Sequence, residues 1–261
     1  MKQMKLIQKL RYRFMRVEKL SGLQIISRIC AVGAVICLIG MALCLTFIEK
    51  DYESNIKAGE LSFPHYNHIS VITENIPVYI KKSADNNINI RYLSDSEIIV
   101  KEEKGRLIIQ QEGDFVFSIL SFSQQDYKIE VFLPDAVYDS IMLATSDASL
   151  YSCPISSNAV NITAKSGYIN IEDIKCLGGR LTINTDSATA DINISQFSGG
   201  ELKNRTGNIN LNFNEDIETC VLAGSRCYIN GLAVQGGNDE PALHKLKIST
   251  ESGRVRIFTD K

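Results

Sequence analysis

The strongest constraint in this chain is a repeat of about twenty residues that begins after Pro134. Aligned on a small residue that follows a polar one, the segments give anchors at Ala148, Gly167, Ala188, Gly207, Cys227 and Gly253, spaced 19, 21, 19, 20 and 26. Apolar or small residues stand seven, five and three positions before each anchor, as in Ile141, Leu143 and Thr145, Leu181, Ile183 and Thr185, or Cys220, Leu222 and Gly224. A second apolar set follows, as in Ile169 and Ile171 or Val255 and Ile257. Each unit therefore reads as strand, tight turn, strand. A unit this short cannot bury its own apolar face, so successive units must stack about 4.8 Å apart to share a core. The pattern predicts an all-β, parallel β-solenoid over residues 135–261, with a β-sandwich as the competing architecture. The 26-residue step absorbs a surface loop at 235–241.

Upstream, residues 61–134 alternate apolar and polar side chains in short runs such as Ile76, Val78 and Ile80, Ile88 and Ile90, and Ile129, Val131 and Leu133. Period two means half-buried strands, with turn-formers such as Lys104-Gly105 between them. No segment after residue 60 keeps a helical period for three turns.

The phrases Lys165-Ser166-Gly167-Tyr168-Ile169-Asn170-Ile171 and Glu251-Ser252-Gly253-Arg254-Val255-Arg256-Ile257 share one pattern, with Arg205-Thr206-Gly207-Asn208-Ile209-Asn210-Leu211 as a variant. Together with Ile69–Ile80 and Lys128–Pro134, they resemble the bacterial putative-adhesin domains of unknown function built from β-strand repeats. The resemblance covers roughly residues 60–258. It departs at Thr185–Thr189 and Gly224–Cys227, which lack the turn glycine. It implies a right-handed solenoid on the cell envelope, near a membrane segment, and it implies no reaction.

Ahead of the strands, Ile29–Ile48 is twenty residues without a charge, long enough at about 1.5 Å per residue to cross a bilayer core of roughly 30 Å. A cleaved signal peptide would have a shorter apolar region ending in small residues, whereas this run closes on Thr46-Phe47-Ile48. Residues 1–28 hold eight Lys and Arg against Glu18 alone, which is plus 7 in a chain of net charge minus 2. Basic clustering marks the cytoplasmic side, so the N-terminus is expected inside and the β region outside. The expected order is a basic cytoplasmic segment 1–28, a transmembrane helix 29–48, a linker 49–60, an N-terminal β part 61–134 and repeats 135–261. Cys30, Cys37 and Cys44 recur every seven residues on one face of the helix.

Few residues suggest chemistry. Thr185-Asp186-Ser187-Ala188-Thr189 looks like the turn that carries an aspartic-protease carboxylate, but it falls at a repeat position and lacks the turn glycine. His65 and His68 are too few ligands for a zinc site. No nucleophile elbow, phosphate loop, dinucleotide fingerprint or calcium loop is present. Catalytic, metal and cofactor residues are accordingly assigned as none, and the bulk net charge of minus 2 gives no reason to expect nucleic acid. Cys220 and Cys227 flank one turn, and two readings stay open: a disulfide, or buried free thiols. Three residues past the anchors, Tyr151, Asn170, Asp191, Asn210, Asn230 and Arg256 should form an outward row, either a solubilising face or a ligand-binding strip. Asn161, Asn193 and Asn204 open glycosylation sequons, but three-residue matches are frequent and a bacterial source would make them irrelevant.

The expected function is non-enzymatic: a single-pass envelope protein whose partners are the lipid bilayer and an envelope protein or surface ligand. The alternative is an envelope-stress regulator signalling through residues 1–28 to an inner partner. Because the last strand stops near Lys261, the final coil is expected to leave an uncovered edge, and with it end-to-end self-association.

Overall fold

The computed structural model describes residues 30–31, 33–42, 56–112, 126–178, 180–214, 218–223, 226–234 and 245–259. The chain divides into two units, Met1–Ser54 and Asn55–Lys261. In the first, residues 30–31 and 33–42 are helical and exposed. Among the described residues no helix is long and apolar enough to cross a membrane. The rest of the expected span lies outside the described residues.

The second unit is all strand. Its N-terminal part contains β1 (Lys57–Phe63), β2 (His68–Thr73), β3 (Val78–Lys82), β4 (Ile88–Ser94), β5 (Glu97–Glu103), β6 (Arg106–Glu112) and β7 (Lys128–Leu133). The repeats form β8 (Val137–Thr145), β9 (Leu150–Ser152), β10 (Ile155–Ala164), β11 (Tyr168–Cys176), β12 (Leu181–Thr185), β13 (Thr189–Gln196), β14 (Gly199–Asn204) and β15 (Asn208–Phe213). They end in β16 (Glu218–Ala223), β17 (Cys227–Ile229), β18 (Leu232–Val234), β19 (Lys245–Thr250) and β20 (Arg254–Thr259).

Two ladders meet along a line of tight corners, and each rung gives one strand to each ladder. The first ladder runs β6, β2, β8, β10, β12, β14, β19, β16, all parallel. The second runs β7, β3, β9, β11, β13, β15, β20, β17, also parallel. Antiparallel strands finish both: β5 on β6, β4 and β1 on β7, and β18 on β17.

Register makes the core from rows of like side chains. Val71, Leu143, Ile162, Ile183, Leu202 and Ile248 lie level on the first ladder. Val78, Leu150, Ile169, Ala190, Ile209 and Val255 lie level on the second. All are buried. β-Branched and leucine side chains fill a pleated inner face without polar atoms to satisfy, and neighbouring rungs complete what one rung alone would expose.

Corners explain the position three residues before each anchor. At Thr145, Asn204 and Thr250 this side chain is polar and buried, and it satisfies the backbone of the turn. Thr145 Oγ1 accepts from the Ala148 N–H at 3.1 Å. Asn204 accepts from the Gly207 N–H at 3.1 Å and donates to the Gly207 carbonyl at 2.8 Å. Thr250 donates to the Gly253 carbonyl at 3.2 Å. In the first coil Gln111 reaches across from β6 instead, accepting from the N–H groups of Glu74 and Asn75 at 2.9 and 3.2 Å. A buried turn without such partners would cost roughly 1–3 kcal/mol per orphaned group.

Corners also stack closely. A Cβ at Gly207 would run into the carbonyl of Ala188, and one at Gly253 into the Asn204 amide and the Gly207 carbonyl. Gly167 additionally has φ +93°.

Rung order differs from chain order at both ends. The β6–β7 rung lies outside β2–β3, and the β19–β20 rung is inserted between β14–β15 and β16–β17. The expected uncovered edge at the chain end is therefore corrected: β20 is interior, held between β15 and β17. Parallel partners on both sides leave β20 no free edge. Six steps separate Ser249 from Val255 and Lys203 from Ile209, whereas four separate Ala223 from Cys227, the residues level with Ser249 and Val255. The last coil thus differs from its neighbours in the length of chain between its two ladders.

Gly207→Ala is expected to lower unfolding free energy by about 3 kcal/mol, the scale of a forced backbone shift. Gly178→Ala, where a Cβ would meet only the Asn158 side chain at 3.9 Å, should stay within about 0.5 kcal/mol. Urea midpoints of the two variants decide the matter, and equal values would contradict the corner packing.

Candidate functional site

The outer face of the second ladder carries one level row across ten strands: Glu60, Arg91, Glu130, Tyr79, Tyr151, Asn170, Asp191, Asn210, Arg256 and Tyr228. Five of the six residues singled out from sequence, Tyr151, Asn170, Asp191, Asn210 and Arg256, are thus brought together. Asn230 is not. The short corner moves β17 along by two residues, so Tyr228 takes its place opposite Arg256. Asn230 and Gly231 have φ 46° and 83° and make the two-residue turn between β17 and β18. The Asn230 amide bonds the Thr259 hydroxyl and N–H, each at 3.0 Å.

Amide bonds run from rung to rung, as the repeat predicts. Asn210 donates to Asp191 at 2.6 Å and Asn212 to Asn193 at 2.7 Å. Asp191 also accepts from the Tyr168 hydroxyl at 2.6 Å, and that bond raises the tyrosine pKa.

Aromatic side chains gather at the centre of the row, which the sequence reading does not foresee. The rings of Tyr79 and Tyr151 stack with centroids 5.0 Å apart and 9° between planes, and Tyr168 leans on Tyr151 at 6.1 Å. Phe132 lies under the cations of Lys81 and Arg91 at 5.8 and 5.2 Å. A depression of about 290 Å³ opens against this cluster, bounded by Tyr79, Lys81, Tyr151, Cys153, Asn170 and Glu172.

Several charges near the strip are paired. Lys81 meets Glu130 at 2.6 Å, Arg91 meets Glu60 at 2.8 Å and Lys82 meets Asp135 at 2.6 Å. The Lys81 hydrogen bond holds the Glu130 carboxyl below its ordinary range, and Lys82 does the same for Asp135. At the corner, Asp186 faces Arg205 rather than a second carboxylate, and its pKa is lowered by that hydrogen bond. This geometry is the reverse of a protease dyad, in which two carboxyls share a proton. A trough of about 690 Å³ beside the corner, on the first ladder, is lined by the paired Arg205 and Asp186, by Lys203, which also meets Glu201, and by Lys165 and Glu74.

The histidines are separated in their bonding. His65 bonds Asn67 at 3.1 Å, and His68 bonds Ser140 at 2.8 Å. Cys227 is a buried free thiol level with Val255, and burial pushes its pKa up to about 11. Cys220 is level with exposed Lys247, one residue away from the inward register its spacing predicts, and its side chain lies outside the described residues. The strands therefore present the two cysteines at registers of opposite faces, and Cys227 makes no bridge in the structure.

The Toastrack DUF4097 family model matches residues 66–257. The chain belongs to this family. The Toastrack domain is also similar to solved structures at low identity. A putative cell adhesion protein from Clostridium sporogenes ATCC 15579 is 14% identical, with 78% of this chain and 100% of that chain covered and a TM-score of 0.44. A putative adhesin from Bacteroides fragilis NCTC 9343 is 13% identical, with coverage of 78% and 97% and a TM-score of 0.44. A putative lipid binding protein from Parabacteroides distasonis ATCC 8503 is 13% identical, with coverage of 79% and 97% and a TM-score of 0.31. No curated protein matches the chain.

Pairing of Glu130 with Lys81 predicts a pH dependence within the Toastrack domain. A depressed carboxyl pKa stabilises the fold above the unfolded value, 4.5 for glutamate, and the contribution is lost as pH falls through the folded value. Lys81→Met should therefore shrink the acid-side loss of stability measured by urea melts between pH 6 and pH 3. An unchanged acid limb would contradict the assignment.

Proposed function

We propose that this chain is a non-enzymatic, single-pass membrane protein whose right-handed β-solenoid stands outside the cell and binds an envelope component or surface ligand through the strip on the second ladder. The observation that carries the reading is the strip itself. Ten strands present one level row of polar and aromatic side chains on a rigid, loop-poor surface, an arrangement suited to an extended partner rather than to an enclosed substrate. Several carboxylates near the strip and the corner are held ionised by adjacent cations, which fits surface structure and not acid–base work near neutral pH.

Anchoring is supported by the first unit. Its helical residues leave Val35, Ile36, Leu38, Ile39 and Met41 more than half exposed, an apolar surface that lipid would cover. The cluster of Lys and Arg before Ile29 favours a cytoplasmic N-terminus.

Protease treatment of intact cells and alkaline carbonate washing of their membranes test this reading. The expected outcome is that external protease removes the β domain, while the uncut chain stays in the carbonate-washed pellet. Protection of the domain in intact cells, or release of the chain by carbonate, would contradict it.

A further inference from the structure

We propose that the depression beside Tyr151 is a subsite for one neutral sugar ring, and that the strip running from it along the rungs takes the rest of a glycan chain. This deepens the reading of the strip as a binding face and rests on it.

Shape comes first. At about 290 Å³ the depression sits at the small end of ligand sites, which run from about 300 to 1,000 Å³. It has room for a single ring and is open along the ladder, so a chain can continue past it.

Chemistry comes second. A pyranose has an apolar C–H face and a rim of hydroxyls that both donate and accept. Tyr79 and Tyr151 offer apolar ring surface fixed by their mutual stacking, so little side-chain freedom is lost on binding. Asn170 offers a donor and an acceptor on one rigid strand, and Glu172 offers an acceptor. Among the described residues neither side chain makes a hydrogen bond of its own. Further along the strip, Asp191 with Asn210 and Asn193 with Asn212 present more amide and carboxylate groups in step with the rungs. A β-linked hexose chain advances per unit by a length similar to one rung, so successive units can meet equivalent groups.

Charge comes third and selects against anionic ligands. The two ammonium groups at the depression are already taken, Lys81 by Glu130 and Lys82 by Asp135, both at 2.6 Å. Glu172 is left as the unpaired charge. At the depression a phosphate or carboxylate group would face that carboxylate without a free cation, while a neutral sugar ring pays no such penalty.

The experiment is a titration of the full chain, kept in detergent micelles, with cellotetraose, chitotetraose and mannotetraose. Tyrosine fluorescence serves as the readout because the chain has no Trp. At least one tetrasaccharide should saturate, and heparin should not compete with it. Tyr151→Phe should bind within twofold of the wild type, whereas Tyr151→Ala and Asn170→Ala should each bind at least tenfold more weakly. Thr182→Ala, on the opposite ladder, should be unchanged. Asn170→Ala leaves the tyrosine stack intact, so a folding defect in Tyr151→Ala cannot carry the result alone. Failure of all three sugars to saturate, or wild-type binding by Asn170→Ala, overturns the sugar assignment. A protein partner lost in Tyr151→Ala, with no sugar bound, gives the face to protein and overturns it too. Protease protection of the domain in cells would instead defeat the parent reading of an external binding face, whatever the sugars do.

Discussion

Among the described residues the coils turn tight corners that stack closely on one another, and the room there limits which side chains they can carry. Inward aliphatic rows supply most of the burial, but they are nearly identical from level to level and so do not distinguish one neighbour from another. The corner backbone is satisfied from inside by Thr145, Asn204 and Thr250, and its outer surface leaves no space for a Cβ at Gly207 or Gly253. The coil of β16 and β17, two residues short between Ala223 and Cys227, takes the end of the stack, and the later β19–β20 coil occupies the place that chain order would have given it.

Much of this is legible in the amino-acid sequence. Alternation with period two and recurrence near twenty residues fix the strand content, the inward rows and the parallel stacking from Pro134 onward. The corner position is found too, although its residues read as small or apolar when their role is polar. Rung order is not legible, because the patterns that identify a strand are local and every rung satisfies them equally. The last coil shows the consequence: placing the anchor at Cys227 assigns Asn230 to the outward row, while Asn230-Gly231 is by itself a two-residue hairpin signal that the repeat alignment hides. Gln111 is a second case. It lies far in sequence from the turn it satisfies, so no local pattern announces it.

The strip on the second ladder follows from the same construction. Strict register carries a choice made at one strand to the same level on the next, which is why Tyr79 and Tyr151 stack and why Asn210 reaches Asp191. A surface assembled in this way is flat, stiff and directional. Its ion pairs are matched locally, leaving hydrogen-bonding and aromatic groups as the features that face outward. Such a surface suits recognition of something long and uncharged.

Cross-linking between rungs gives the most direct check on the stacking order. Cysteines at Asn210 and Arg256 should be neighbours about 4.8 Å apart, within reach of a disulfide, whereas Asn210 and Tyr228 should be two rungs apart and out of reach. Under mild oxidation the Asn210→Cys/Arg256→Cys chain should close a bridge, and the Asn210→Cys/Tyr228→Cys and Asn210→Cys/Asn230→Cys chains should not. Closure of either of the latter pairs, with the first left open, would mean that the coils follow chain order.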